Sequence, residues 1–183
     1  MNCILHSVFT IVKCYFLFYT EYVRLPQSKE PYMDICFKTP NEIFSLRAAA
    51  LIIDNNRLLI IKNEDLNCFY TIGGGIQENE SSDKAVIREL YEETGYDFEA
   101  EKLLFIQERF YKAENSCHHE IVFFYLMKEI DFEIQNGMIT DRQNEHLYWI
   151  PIEDLENINL VPTFLKTALR NIPDEITHII SYE

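Results

Sequence analysis

Basic residues are scarce in this chain. Lys and Arg together number 16 against 30 Asp and Glu, for a formal net charge of −14. A chain this acidic gains nothing from releasing phosphate counterions, so no DNA partner is expected. Any anionic substrate would need a cation to bridge it to such a surface. Paired cysteines are missing too. Cys3, Cys14, Cys36, Cys68 and Cys117 are odd in number, and no two are spaced as CxxC. That spacing argues against a disulfide framework and against a zinc site, and it fits reduced thiols in the cytoplasm. Internal repeats and low-complexity tracts are also lacking.

The first residues lack what a leader or an anchor needs. Ile4 to Tyr19 are rich in apolar and aromatic side chains, but His6 and Lys13 interrupt them and no basic stretch precedes them. A secretory signal starts with basic residues, and a spanning helix takes about 20 apolar residues with no central charge. No membrane partner is therefore expected. Residues 1–32 read as an N-terminal extension, ending in the linker-like run Pro26-Gln27-Ser28-Lys29-Glu30-Pro31. Residues 33–183 read as the domain, with Met33 as a candidate start.

What is present is an ordinary globular composition, 48% hydrophobic and 25% charged, in a length that suits one core. Phe44 to Ile53 and Arg57 to Lys62 read as strands of a hairpin turned at Asp54-Asn55-Asn56. Cys68 to Ile72 reads as a short strand running into a flexible glycine loop, Gly73-Gly74-Gly75. Ser82 to Thr94 predicts a helix, capped by Ser81 and closed by Gly95. Strands are predicted over Leu103 to Tyr111, Ile121 to Met127, Leu147 to Ile150 and Glu175 to Ser181, with a helix over Pro162 to Asn171. Strands, a central helix, more strands and a late helix argue for α+β with one continuous core.

The chemistry concentrates in residues 74–96, GGIQENESSDKAVIRELYEETGY. At 100° per residue, Glu89, Glu92 and Glu93 fall within one arc of the predicted helix, while Val86, Ile87 and Leu90 fall on the other side. One face packs and the other gathers negative charge. Like charges at these spacings cost only ~0.2–0.5 kcal/mol per pair, so a solvated acidic face is the plain alternative. Clustered carboxylates suit Mg²⁺ or Mn²⁺, hard ions that bridge to phosphate oxygens.

Residues 74–96 resemble the Nudix box, G-x5-E-x7-R-E-U-x-E-E-x-G-U, where U is bulky and apolar. All seven fixed positions match, at Gly74, Glu80, Arg88, Glu89, Glu92, Glu93 and Gly95. Seven fixed residues at average usage give a chance match on the order of 10⁻⁸ to 10⁻⁹ per start position. Tyr96 at the last U, and Ile72 where many members carry proline, are the departures. The strands before the box, Tyr148-Trp149-Ile150-Pro151 and the acidic turn Glu153-Asp154-Leu155 also look like a Nudix domain, so the resemblance spans roughly residues 33–183.

The resemblance implies an α+β Nudix fold, a mixed curved sheet sandwiched between helices. It implies a Mg²⁺- or Mn²⁺-dependent pyrophosphohydrolase that cleaves a diphosphate linkage in a small nucleotide, with a nucleoside triphosphate as the default substrate. The alternative is a non-catalytic sensing or binding module, but such modules usually lose box glutamates. Glu92 and Glu93 would be the main metal ligands, with Glu89 a ligand or the residue that handles the water. Arg88 would orient the carboxylates by pairing with Glu80, Gly74 would shape the loop, and the Gly73 backbone would add a ligand. Glu145 is the first candidate for an extra acidic ligand and Glu120 the second. Arg47, Arg109 and Tyr111 are candidate substrate contacts. Tyr111 stands near where dinucleoside polyphosphate hydrolases carry a tyrosine, and the extra motifs of coenzyme A and NADH members are absent. A homodimer is left open.

Overall fold

Two strands explain how one chain of this length fills two core regions. In β2 (Glu42–Leu51), four consecutive residues, Ala48 to Leu51, are buried. Ala48 and Ala50 enter one apolar cluster and Ala49 and Leu51 the other, as period-two alternation requires. β4 (Arg57–Asn63) does the same, sending Leu59 and Ile61 to the first cluster and Leu58 and Ile60 to the second. A continuous apolar run is the mark of a strand covered on both faces. These features belong to a computed structural model that describes residues 33–113, 115–128, 133–140, 142 and 144–183. The expected extension, residues 1–32, lies outside the described residues.

The strands form two mixed sheets, in keeping with the expected α+β fold built on mixed β-structure. The first runs β1 (Cys36–Lys38), β2, β8 (Ser116–Met127), β7 (Ala100–Ala113), β12 (Thr177–Tyr182), with β6 (Gly73–Gly75) also paired to β2. β2 lies parallel to β8 and β12 parallel to β7, and the other pairings are antiparallel. The second runs β11 (Leu160–Val161), β5 (Cys68–Tyr70), β4, β10 (Glu145–Pro151), β9 (Met138–Ile139), with β3 (Ile53–Asp54) on β4. The division arises at Ile52. Beyond it only Ile53 and Asp54 form the expected hairpin, whose turn holds Asn55 and Asn56 at φ 47° and 58°. Before it, β2 pairs with β8 instead.

Helix α1 (Ser82–Thr94) covers the first cluster with Ala85, Val86 and Leu90. A 3-10 turn (Ile152–Asn157) and the short α2 (Leu165–Ala168) close the second with Leu155, Leu165 and Leu169. α2 is shorter than the predicted helix over Pro162 to Asn171. Around it the N–H groups of Leu165, Lys166, Thr167 and Arg170 bond carbonyls three residues back, so the segment winds mostly as tighter 3-10 turns. The glycine segment is a correction of another kind. Gly73-Gly74-Gly75 is a paired strand, with Ala49, Ala48 and Arg47 opposite, and not a flexible loop.

Candidate active site

The reason for three glycines is close approach. A Cβ on Gly74 would lie 2.2 Å from the Glu89 carboxylate, and one on Gly75 would lie 2.3 Å from an Asp34 oxygen. Two carboxylates are thus pressed against adjacent positions of one bare strand, which only glycine allows.

Helix α1 presents its acids to that strand. Ser81 holds the capping position with extended backbone, but its side chain makes no cap bond and instead supports Asp83. Gly95 closes the helix at φ 76°, its N–H donating to the Tyr91 carbonyl. Ala85, Glu89 and Glu93 form a buried stripe at i, i+4, i+8, while Glu92 faces outward with half its side chain exposed. The acidic arc is therefore mostly turned into the protein. Like-charge acids 7% and 5% exposed do not form a solvated surface.

Arg88 ties the cluster together. Its Nε and Nη2 each donate to a different Glu80 oxygen at 2.9 Å, and Nη2 also donates to the Gly75 carbonyl at 2.9 Å. Nη1 donates to Glu89 at 2.7 Å and reaches Glu92 at 3.4 Å. Glu80 also accepts the Gln77 N–H. The loop from Gly75 to Ser81 is thereby strapped to the helix by one guanidinium. The Arg88 bond lowers the Glu80 pKa. Glu89 moves the other way: burial raises its pKa, Arg88 opposes this, and Glu92 and Asp34 add to the rise. Glu89 is thus a carboxylate with less compensation than its charge requires.

Sequence reasoning missed Asp34. It lies before β1 and pairs across an isolated bridge with Gln77, and nothing in the linear sequence marks it as a neighbour of the helix. Among the described residues no three His, Cys, Asp or Glu side chains form a ready-made cation cage. The donor set nevertheless suits a hard divalent ion. It is all oxygen, two of its carboxylates are withdrawn from water, and a Glu89 charge only partly offset by Arg88 is what such an ion relieves.

Beside the glycine strand lies a cavity of about 440 Å³. It brings together most of the outlying candidates: Gly73, Arg47, Arg109, Tyr111, Glu120 and Glu145. Their states differ. Arg109 is committed, donating to Glu183 at 2.8 Å and to Glu120 at 3.4 Å, with its guanidinium over the Tyr111 ring. Glu120 also accepts from the Tyr111 hydroxyl and from Ser45. Burial, then the Glu120 charge, push the Tyr111 hydroxyl up to about 12, so it stays protonated and donates. Glu145 is 6% exposed; Asn63 Nδ2 donates to its Oε1, and its Oε2 has no hydrogen-bond partner. His118 and His119 face opposite ways as adjacent strand residues must, stacking on Tyr111 and Phe110 respectively. Gln107 and Asn63 also line the cavity, and no sequence motif singles them out.

The NUDIX domain family model matches residues 44–172. The chain therefore belongs to the Nudix family of hydrolases. Its fold resembles the MutT protein of Bacillus halodurans (TM-score 0.57, 18% identity, 73% of this chain and 89% of that one). It also resembles a UDP-X diphosphatase (0.52, 16%, 88% and 73%) and the MutT protein of Methanosarcina mazei Go1 (0.51, 18%, 73% and 95%). No curated protein matches the sequence. Among the described residues no helix is long and apolar enough to cross a membrane.

Proposed function

We propose that this chain is a divalent-metal-dependent pyrophosphohydrolase that cleaves the diphosphate linkage of a nucleoside diphosphate joined to another group, a nucleoside triphosphate being the simplest case. The observation that carries the reading is the packing of Glu89 on Gly74 under the Arg88 strap, at the edge of a cavity that shares Gly73. Glu92 and Glu93 would be the main holders of Mg²⁺ or Mn²⁺, with Glu89 and the Gly73 carbonyl beside them and Glu145 completing the set from the cavity wall. When bound, such an ion polarises a phosphoryl oxygen and lowers the pKa of water.

The protein's own residues have separate tasks. Arg88 fixes Glu89 through a 2.7 Å bond while its other nitrogens stay on Glu80 and Gly75, so the carboxylate is positioned before substrate arrives. Burial of Glu89 raises its proton affinity, which suits a group that takes a proton from an attacking water. The two named MutT proteins and the diphosphatase support an anhydride-cleaving reading. Unpaired thiols at Cys36, Cys68 and Cys117 support a cytoplasmic setting.

The test is turnover of a nucleotide panel by the purified protein with Mg²⁺ or Mn²⁺. Release of a mononucleotide from at least one diphosphate-containing substrate is expected. A folded protein that turns over none of them with either ion would end the hydrolase reading.

A further inference from the structure

Besides Glu145, the cavity wall contains two polar side chains whose hydrogen-bonding capacity is not fully used by the described residues. Gln107 is 0% exposed, with Val122 as its cross-strand neighbour and apolar Phe124 also in the cavity wall. Its Nε2 donates to Ser181 Oγ at 2.8 Å, and its Oε1 has no hydrogen-bond partner. A buried acceptor left unpaired is costly, and an apolar side chain would fit among these neighbours without that cost. Arg47 is the second group. It is half-buried and lines the same cavity, and among the described residues its guanidinium makes no hydrogen bond or ion pair, though its charge acts on the nearby Tyr111 hydroxyl. Arg109 has two carboxylates and an aromatic ring, so the cavity's more obvious cation is already neutralised.

Strand register places the two groups. Val122 of β8 is the partner of Arg47 in β2 and of Gln107 in β7. The three form one row across the sheet, and cross-strand partners share a face. Arg47 is also opposite Gly75, so it lies at the glycine-strand end of the row. Gln107 lies two strand spacings away, about 10 Å at Cα.

We infer that Arg47 and Gln107 are a two-point specificity device: Arg47 binds the substrate's phosphate beside the glycine strand, and Gln107 Oε1 accepts a hydrogen bond from an N–H of the base. The device selects nucleotides over base-free phosphate esters. It rests on the proposed reading that this cavity takes a nucleotide. Arg109 is a strut that never touches substrate.

Binding without turnover tests this. Nucleoside monophosphates contain no diphosphate to cleave, and ribose 5-phosphate is the matching ligand without a base. Calorimetry with both ligands, in Mg²⁺, would be run on the wild type and on the Gln107→Met, Arg47→Gln and Arg47→Lys proteins. Gln107→Met is expected to weaken nucleoside monophosphates about 2- to 12-fold, the worth of one neutral hydrogen bond, and to leave ribose 5-phosphate unchanged. Arg47→Gln is expected to weaken both ligands by about 10- to 150-fold, with partial recovery in Arg47→Lys. Gln107→Met should melt at or above the wild-type temperature. Equal nucleotide affinity in Gln107→Met and wild type, or a melting temperature lowered by more than about 4 °C, would overturn the inference by making Gln107 a structural tie to Ser181. So would unchanged affinity in Arg47→Gln, or a wild type that binds no nucleoside monophosphate. A wild type that binds them with this pattern yet cleaves no diphosphate would leave the inference standing and remove the hydrolase reading.

Discussion

Gly74→Ala puts the proposed site under the smallest possible stress, a single methyl group. Its Cβ would lie 2.2 Å from the Glu89 carboxylate, where ordinary contact begins at 3.4 Å. The carboxylate must therefore retreat by about 1.2 Å, or the glycine strand must part from α1. Retreat is the softer route, because the obstacle is the end of a side chain. It also breaks the 2.7 Å bond from Arg88, which is held in place by Glu80 and Gly75. Overpacking of this kind costs about 1–3 kcal/mol, which in a domain of this size lowers the melting temperature by about 2–4 °C per kcal/mol. Displacing a catalytic group by 1 Å can cost about 100-fold in rate. Turnover should accordingly fall about 100-fold while the protein remains folded. Gly95→Ala is the companion. Nothing lies within 4 Å of its Cβ, but φ is 76°, so it should lose about 1–2 kcal/mol of stability with kcat intact. Thermal melts and steady-state kinetics on both proteins decide the matter. Wild-type kcat in Gly74→Ala would refute the argument that Glu89 must sit on a bare strand.

Two further outcomes follow from the electrostatics. Arg109→Gln removes the guanidinium between Glu120 and Glu183, both largely buried, and should cost about 3–5 kcal/mol by denaturant titration, whereas Arg47→Gln should change stability little. Near-equal losses in the two variants would contradict the division between strut and binder. Glu89 carries a raised pKa, so the folded chain holds that proton more tightly than the unfolded chain, and stability falls as pH rises from the unfolded value through the folded one. Glu89→Gln should therefore melt at or above wild type at neutral pH, with the gap closing as the solution is acidified; a gap that widens on acidification would reverse the sign.

The box was legible because its chemistry is local. Glu80, Arg88 and the three glutamates lie within one loop and one helix, so spacing alone aligns them, and the Glu80–Arg88 pair is found at 2.9 Å. The strands were legible where alternation is strong, though β7 and β8 extend beyond the predicted limits because their ladder continues to Ala113 and Ser116. What spacing could not provide was partners far apart in sequence. Asp34 meets the box only through β-bridging to Gln77, Gln107 becomes a cavity residue only through register with Val122, and Glu183 neutralises Arg109 from the C-terminal end. The inward turn of the acidic arc was also hidden. A helix pattern gives angles between side chains, while the three glycines, of which Gly74 accepts Glu89, are read as looseness until the opposing β2 is known.

The central claim is that the box glutamates hold the ion that makes this chain a hydrolase. Metal titration of turnover in Glu92→Gln and Glu93→Gln, with Lys84→Gln as a control on the same helix, tests it most directly. Glutamine keeps the size and one carbonyl oxygen but removes the charge, and charge stabilisation at such a site is worth several kcal/mol, each 1.36 kcal/mol being tenfold in rate. Both glutamate variants should keep wild-type melting temperatures, need far more Mg²⁺ to reach half-maximal rate, and turn over several orders of magnitude more slowly, while Lys84→Gln behaves as wild type. Wild-type rates and metal dependence in both glutamate variants would contradict the account.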